Sequence, residues 1–136
     1  MSFHNTKSKV IDWIKFDSTL EANYYEHLKV LKSNKKIKSF TLQPVFTLFD
    51  KSKELWLRAM TYVADFLIEY PDGRTEVIDT KWMATEVSNL KRKLYMFIYK
   101  NDPPLKWICK FQWNRVDYFE NNKRRNKSKK EKLLSD

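Results

Sequence analysis

The chain has 136 residues, a length that predicts a single domain with one core. It carries 27 Lys and Arg against 17 Asp and Glu, and a net charge of +10 points to a polyanionic partner, with nucleic acid as the first candidate. One glycine, Gly73, is too few for a P-loop or a Rossmann fingerprint. Two His and one Cys exclude a zinc finger, an HNH-type nuclease centre and an internal disulfide.

Hydropathy predicts a protein of the cytoplasm with no membrane partner. No window approaches 18 uninterrupted apolar residues, and the first 20 residues alternate polar with apolar instead of forming a signal-peptide core. The 5 Trp, 7 Tyr and 9 Phe supply enough apolar area for a core despite the high charge.

The first half of the chain predicts a short strand or hairpin, a helix and a strand. Residues 9–16 favour the strand or hairpin, and residues 18–32 have the apolar spacing of an amphipathic helix. Ser18 and Glu21 match a capping box at the start of that helix. Residues 39–50 favour a strand that Pro44 interrupts.

The second half predicts a hairpin, a helix and a last strand. Residues 55–70 and 75–82 form the hairpin, residues 86–99 the helix and residues 105–113 the strand. The resulting helix-strand-strand-strand-helix-strand order predicts an α/β (α+β) domain over residues 1–120, with helices flanking a mixed sheet. Residues 121–136 have seven basic side chains and form a separate basic tail.

The hairpin turn predicts which residues face each other across its strands. Pro71, Asp72 and Gly73 suit a three-residue loop that closes with a bulge, so Tyr70 is expected opposite Arg74. The same register puts Asp65 opposite Asp79. Two carboxylates directly opposed are destabilising, so a cation is expected between them.

The alternation of side chains along a strand predicts that a lysine lies close to this pair of carboxylates. Lys81 lies two residues after Asp79 and is expected on the same sheet face, which Val63, Leu67 and Val77 share. Hard carboxylate oxygens, with backbone carbonyls and waters, suit Mg²⁺ or Mn²⁺. The alternative is an ordinary surface salt bridge, because Asp-x-Lys is a common tripeptide and a loop of different parity would separate the two Asp.

Several motifs resemble those of known nucleases. Asp65, 13 further residues and Asp-Thr-Lys at 79–81, preceded by Glu21, resemble the restriction-endonuclease-like PD-(D/E)xK core. Ile-Lys-Phe-Asp-Ser at 14–18, Leu-Gln-Pro at 42–44, Tyr-Val-Ala-Asp-Phe at 62–66 and Leu-Lys at 90–91 resemble a family of small phage proteins, catalogued mainly as a domain of unknown function and assigned to that nuclease group. More distantly, the chain is similar to phage endonuclease I-type Holliday-junction resolvases.

The resemblance implies a role for each matching residue. Asp65 and Asp79 would bind the metal, and Glu21 would complete the site directly or through a water. Lys81 would position the attacking water or help to deprotonate it, with orientation favoured because a lysine beside two carboxylates tends to stay protonated. Gln43 would support the residues that bind the metal without binding it itself. The alternatives are a capping role alone for Glu21 and an ordinary strand hydrogen bond for Gln43.

Basic side chains in three places are candidates for contacts with DNA phosphates, although a solvated basic surface is the alternative for each. They are Lys35, Lys36 and Lys38; Lys91, Arg92 and Lys93; and Lys123, Arg124 and Arg125 in the tail. Trp13, Trp56 and Trp113 would stack on unpaired bases or form a dimer interface, unless they pack in the core.

These expectations together describe a Mg²⁺-dependent DNA endonuclease that hydrolyses phosphodiester bonds, with branched DNA as the expected substrate. Cutting a junction symmetrically requires two active sites, which favours a homodimer. The competing hypothesis is a non-catalytic basic DNA-binding protein of a phage replication or recombination module, in which both Asp are structural.

Overall fold

The structure is a computed structural model and describes residues 7–81, 83–112 and 115–118. Within those residues, the elements follow in this order: β1 (Lys9–Ile11), β2 (Ile14–Phe16), α1 (Thr19–Ser33), β3 (Ser39–Leu42), β4 (Val45–Phe49), β5 (Met60–Val63), β6 (Phe66–Glu69), β7 (Thr75–Thr80), α2 (Glu86–Ile98), β8 (Leu105–Gln112) and β9 (Arg115–Tyr118). β1 and β2 pair as the predicted hairpin. Both helices lie where the sequence predicts them.

A five-stranded sheet with the order β3-β6-β7-β8-β9 forms the centre of the molecule. β7 and β8 run parallel, because α2 connects them, whereas the other neighbours are antiparallel. The protein is therefore a mixed α+β fold with a mixed sheet and two helices, as predicted. None of its described helices has the length and apolar character needed to cross a membrane.

Each face of the sheet carries its own apolar core. Phe66, Ile78 and Ile108 point toward α1 and pack with Tyr24 and Leu28 of that helix. The opposite core contains these residues of the sheet, of α2 and of the β4–β5 pair: Leu48, Tyr62, Ala64, Val77, Tyr95, Leu105 and Trp107. The odd-numbered positions of β7 thus face α2, and its even-numbered positions face α1.

The β6–β7 hairpin has the predicted turn and register. Tyr70 N–H donates to the carbonyl of Arg74 at 2.8 Å, and Gly73 has φ +90°, the left-handed conformation that closes the loop without a Cβ clash. The ladder pairs Phe66 with Ile78 and continues in step to the turn. The predicted register is therefore confirmed from the turn to Phe66 and Ile78, and Asp65 and Asp79 each lie one residue beyond that last pair.

The predicted interruption of residues 39–50 at Pro44 is confirmed, whereas the prediction of one strand over residues 55–70 was wrong, because that segment is broken in its middle. Gln43 has φ +49° and precedes Pro44, which ends β3, and Ala64 and Asp65 separate β5 from β6. β4 and β5 then pair with each other as a separate two-stranded sheet that packs on α2. The three strands predicted between residues 39 and 82 are therefore five shorter strands, β3 to β7, in the structure.

The break after β5 also reverses which side chains face the core. Tyr62 and Ala64 are buried beside Val77, whereas Val63 is exposed, so the prediction that Val63 shares the face of Asp79 was wrong. The predicted last strand is present as β8, and β9 is an additional strand. The basic tail, Lys123, Arg124, Arg125 and Trp113 lie outside the described residues.

Candidate active site

A cleft of about 270 Å³ opens between the start of α1 and the ends of β6 and β7. The residues that line it are Asp17, Ser18, Glu21, Asp65, Thr80, Lys81 and Met83. Three of the four residues that the sequence nominates for chemistry therefore line one cleft. The fourth, Asp79, lies beneath it and contacts Lys81.

Asp65 is held at the break between β5 and β6 by both neighbouring strands. Its backbone N–H donates to the carbonyl of Ile78 at 3.1 Å, and its own carbonyl accepts the N–H of Gln43 at 2.9 Å. Its carboxylate Oδ2 accepts the backbone N–H of Thr80 at 2.7 Å and also the Thr80 hydroxyl. Besides its backbone hydrogen bond, Asp65 thus forms side-chain hydrogen bonds to β7, and these fix the position of its carboxylate.

Asp79 is the most deeply buried charged group described, with 0% of its surface exposed. The Tyr62 hydroxyl donates to its Oδ2 at 2.5 Å, and Nζ of Lys81 lies 3.3 Å from both carboxylate oxygens. Burial, with the nearby charge of Asp65, raises the pKa of Asp79 to about 7, although Lys81 and Tyr62 oppose the shift. The charge of Asp65 therefore acts on the buried Asp79 and adds to the effect of burial.

A buried polar relay behind Asp79 was not predicted. The indole N–H of Trp107 donates to the Tyr62 hydroxyl at 3.0 Å, so that hydroxyl both accepts from Trp107 and donates to Asp79. The guanidinium of Arg92 lies 4.8 Å from the Trp107 ring centroid. Arg92 thus contacts a buried aromatic ring of the core and is not only a candidate for phosphate contacts. Trp107 pairs with Asp79 in the β7–β8 register, but Tyr62 faces Asp79 only because of the break after β5.

Glu21 approaches the carboxylate pair from α1. Only 7% of the residue is exposed, and burial together with the charges of Asp65, Asp17 and Asp79 raises its pKa to about 7. Its backbone N–H donates to Ser18 Oγ at 3.1 Å, which is half of the predicted capping box. Its carboxylate hydrogen bonds to the backbone of Asp17. Glu21 therefore contributes to the cap of α1 through its backbone N–H and also lines the cleft.

The donors in the cleft fit a magnesium-type ion that keeps part of its water shell. Within the described residues, no three His, Cys, Asp or Glu side chains form a direct ligand set. Mg²⁺ is commonly held by one or two carboxylates plus waters, and Asp65 and Asp79 are such a pair. Two interacting carboxylates, one of them buried, are also the groups whose repulsion a divalent cation would relieve.

The other nominated residues are spread over the surface. Gln43 is exposed, and its contact with Asp65 is through the backbone, so its side chain is not part of the cleft lining. Lys35, Lys36 and Lys38 follow α1, whose 15 residues span about 22 Å, so they lie at the far end from Glu21. Lys38 pairs with Glu69 at 3.3 Å. Lys91 and Lys93 lie in the middle of α2.

Fold and cleft together define a mixed α+β protein in which a buried aspartate, a partly exposed aspartate and a lysine lie together at the end of two antiparallel strands. The model of the family described as protein of unknown function DUF1064 matches residues 1–115, so the chain belongs to that family. The description of the family names no activity. No curated protein and no solved structure gives a significant match.

Proposed function

We propose that the protein is a Mg²⁺-dependent DNA endonuclease of the PD-(D/E)xK type. The observation that carries the proposal is the pairing of Asp65 with the buried Asp79, with Lys81 in contact with Asp79 and Glu21 across the cleft. Burying like charges together costs stability, and such pairs are concentrated at functional sites. The net charge of +10 favours a polyanionic substrate.

Each side chain has a distinct task in this proposal. Asp65 and Asp79 hold the ion, with Mn²⁺ as a substitute, and Glu21 holds it through a water. When bound, a divalent ion makes a water nucleophilic near neutral pH and stabilises charge on the phosphoryl group. Thr80 fixes Oδ2 of Asp65, which leaves Oδ1 as the oxygen assigned to the ion. Tyr62 fixes Asp79 in the same way.

Lys81 is assigned to orientation and charge stabilisation, not to proton abstraction. Its Nζ is 3.3 Å from both carboxylate oxygens of Asp79, so the ion pair holds the side chain in place. An ammonium at the lip of the cleft places a positive charge where the scissile phosphate would lie. The side chain is partly exposed, so it reaches the open part of the cleft.

The proposed substrate is branched DNA, cut by a homodimer with two active sites. Binding would rest on phosphate contacts from the basic surface, which depend on salt and not on sequence. Lys91 and Lys93 on α2 are the preferred phosphate contacts over Lys35 and Lys36. α2 begins shortly after Lys81, whereas the other pair lies beyond the far end of α1.

The test is a cleavage assay with a four-way junction, a flap and a linear duplex, each in Mg²⁺ and in EDTA. Asp65→Asn, Asp79→Asn and Lys81→Ala should each lower the cleavage rate by about 100-fold or more, while DNA binding is retained. Asp72→Asn is the matched control, because Asp72 is an exposed carboxylate in the turn of the same hairpin. It should cleave at the wild-type rate.

Two results would contradict the proposal. Equal cleavage by wild type and Asp79→Asn would remove the assigned site. DNA binding without cleavage of any substrate in Mg²⁺ or Mn²⁺ would instead favour the non-catalytic DNA-binding protein. Preference for the junction over linear duplex, with a dimer in size-exclusion chromatography, would support the resolvase-like form of the proposal.

A further inference from the structure

The loop between β4 and β5 presents an exposed tryptophan in a defined conformation. Trp56 is 94% exposed, and its φ of +57° lies in the left-handed region that bulky residues avoid. The loop around it is nonetheless ordered. Ser52 and Leu57 exchange backbone hydrogen bonds of 2.9 and 3.0 Å, and Ser52 Oγ accepts the N–H of Leu55 at 3.2 Å. The local fold therefore holds Trp56 in solvent.

Basic side chains surround this tryptophan. A surface cleft of about 460 Å³ is lined by Trp56, Leu57, Ser52 and three cations, Lys51, Lys53 and Arg58. Within the described part of the chain, none of these three cations forms an ion pair. Asp50 and Glu54, the acidic residues of the loop, are not part of the lining. An aromatic ring beside cations that form no ion pair within the described residues offers a stacking surface for a nucleobase and positive charges for its flanking phosphates.

The β4–β5 pair connects this loop to the acidic cleft. Ala64, the residue before Asp65, donates its N–H to the carbonyl of Pro44 at 3.1 Å, so the base of the pair is at the candidate active site. β4 has five residues, which span roughly 16 Å at 3.3 Å per residue. Trp56 lies in the loop that begins where β4 ends, so the β4–β5 pair separates it from the cleft.

We propose that Trp56 stacks on an unpaired base of the DNA substrate, several nucleotides from the scissile phosphate, while Lys51, Lys53 and Arg58 contact the adjacent phosphates. The inference rests on the proposed function, since it takes DNA as the substrate. It adds a reason for preferring branched DNA: a fully paired duplex offers no unstacked base except at its ends.

The test measures binding without chemistry. Fluorescein-labelled DNA with an unpaired segment and a fully paired duplex are titrated with protein in EDTA, and the dissociation constant is read from fluorescence anisotropy. Trp56→Ala should weaken binding of the unpaired DNA by roughly 10-fold or more and that of duplex by less than about 2-fold. Trp56→Phe keeps a stacking ring and should recover most of the loss.

Trp13→Ala is the matched control. Trp13 is 100% exposed at the β1–β2 turn with φ +66°, but it lies beside the ion pair of Asp12 with Lys29 and not in a basic cleft. It should bind unpaired DNA within about 2-fold of wild type, since a stacking loss would be roughly 10-fold. Both Trp variants replace exposed side chains, so unchanged melting temperatures are expected and would be verified.

A second measurement tests the cations. Changing Lys51, Lys53 and Arg58 together to Gln should reduce the slope of log K against log salt for single-stranded DNA by about 2, at about 0.7 for each phosphate contact. Unchanged affinity in Trp56→Ala, an equal loss for duplex, an equal loss in Trp13→Ala or an unchanged salt slope would each overturn the inference. If wild type cleaves and Trp56→Ala binds normally, this inference fails and the nuclease proposal stands.

Discussion

Replacing Tyr62 with Phe tests the buried relay that fixes Asp79. The change removes one hydroxyl with little change in shape. It eliminates the 2.5 Å hydrogen bond that the hydroxyl donates to Asp79 and the 3.0 Å hydrogen bond that it accepts from the indole N–H of Trp107. A hydrogen bond to a charged group is worth about 1.5–3 kcal/mol, and an ordinary hydrogen bond about 0.5–1.5 kcal/mol.

These two losses share one hydroxyl and are not additive, so we expect the free energy of unfolding at pH 8 to fall by about 3 kcal/mol. For a chain of this size, that corresponds to a melting temperature lower by roughly 10 °C. Urea denaturation and calorimetry of the metal-free protein measure both quantities. The Mg²⁺ concentration needed for half-maximal cleavage should also rise, because Asp79 loses its fixed orientation.

Tyr95→Phe is the control for this prediction. Tyr95 is equally buried, but its hydroxyl donates to the carbonyl of Pro103, a neutral acceptor, at 2.6 Å. Its removal should cost about 1 kcal/mol, as for an ordinary hydrogen bond. If Tyr62→Phe is no more destabilising than Tyr95→Phe, the relay does not support Asp79 and the reasoning is refuted.

Three further predictions concern the cleft and the turn. Asp79→Asn should raise the melting temperature of the metal-free protein at pH 8, because it removes a buried charge beside Asp65; a lower value would show that repulsion is not the dominant effect. Burial and neighbouring carboxylates raise the pKa values of Glu21 and Asp79 to about 7, so their contribution to stability is fully present below pH 4 and lost as the pH rises through 7. Mg²⁺ should therefore increase the melting temperature more at pH 8 than at pH 5.5, and Asp79→Asn should abolish that difference. Gly73→Ala, at φ +90°, should lower stability by about 1 kcal/mol and leave cleavage per folded molecule unchanged, since only the distant turn is strained.

Local chemistry made the hairpin predictable from the sequence. Pro71, Asp72 and Gly73 determine one turn geometry, and the period of two along a strand carries that register to Asp65 and Asp79. α1 was predictable for a similar reason, since its apolar spacing and the Ser18 cap are both local. These features depend on residues close together in the chain.

The break between β5 and β6 was not predictable, because it depends on partners far apart in the chain. Residues 60–69 have uniform strand character, yet β5 pairs with β4 and β6 pairs with β3 and β7. The change of partner at Ala64 and Asp65 shifts the alternation by one residue. Tyr62 consequently reaches Asp79, a contact that strict alternation would exclude.

The burial of the carboxylates could not be predicted from local sequence patterns either. Spacing put Asp79 and Lys81 on one face, but the depth of Asp79 depends on Trp107 and Tyr62 covering it from the neighbouring strand and the β4–β5 pair. The raised pKa of Glu21 likewise depends on α1 docking against the sheet next to Asp65. Tertiary packing thus determines the burial of Asp79 and the raised pKa of Glu21, which the sequence motif alone does not.

The most direct test of the central claim is Mn²⁺ binding, followed at pH 8 by the loss of the free-ion signal in electron paramagnetic resonance. Mn²⁺ replaces Mg²⁺ at carboxylate sites and is observable without any DNA. The account predicts a saturable site in wild type and in Asp72→Asn that is lost in Asp65→Asn and in Asp79→Asn. Equal Mn²⁺ binding by all four proteins, or none by wild type, would contradict it.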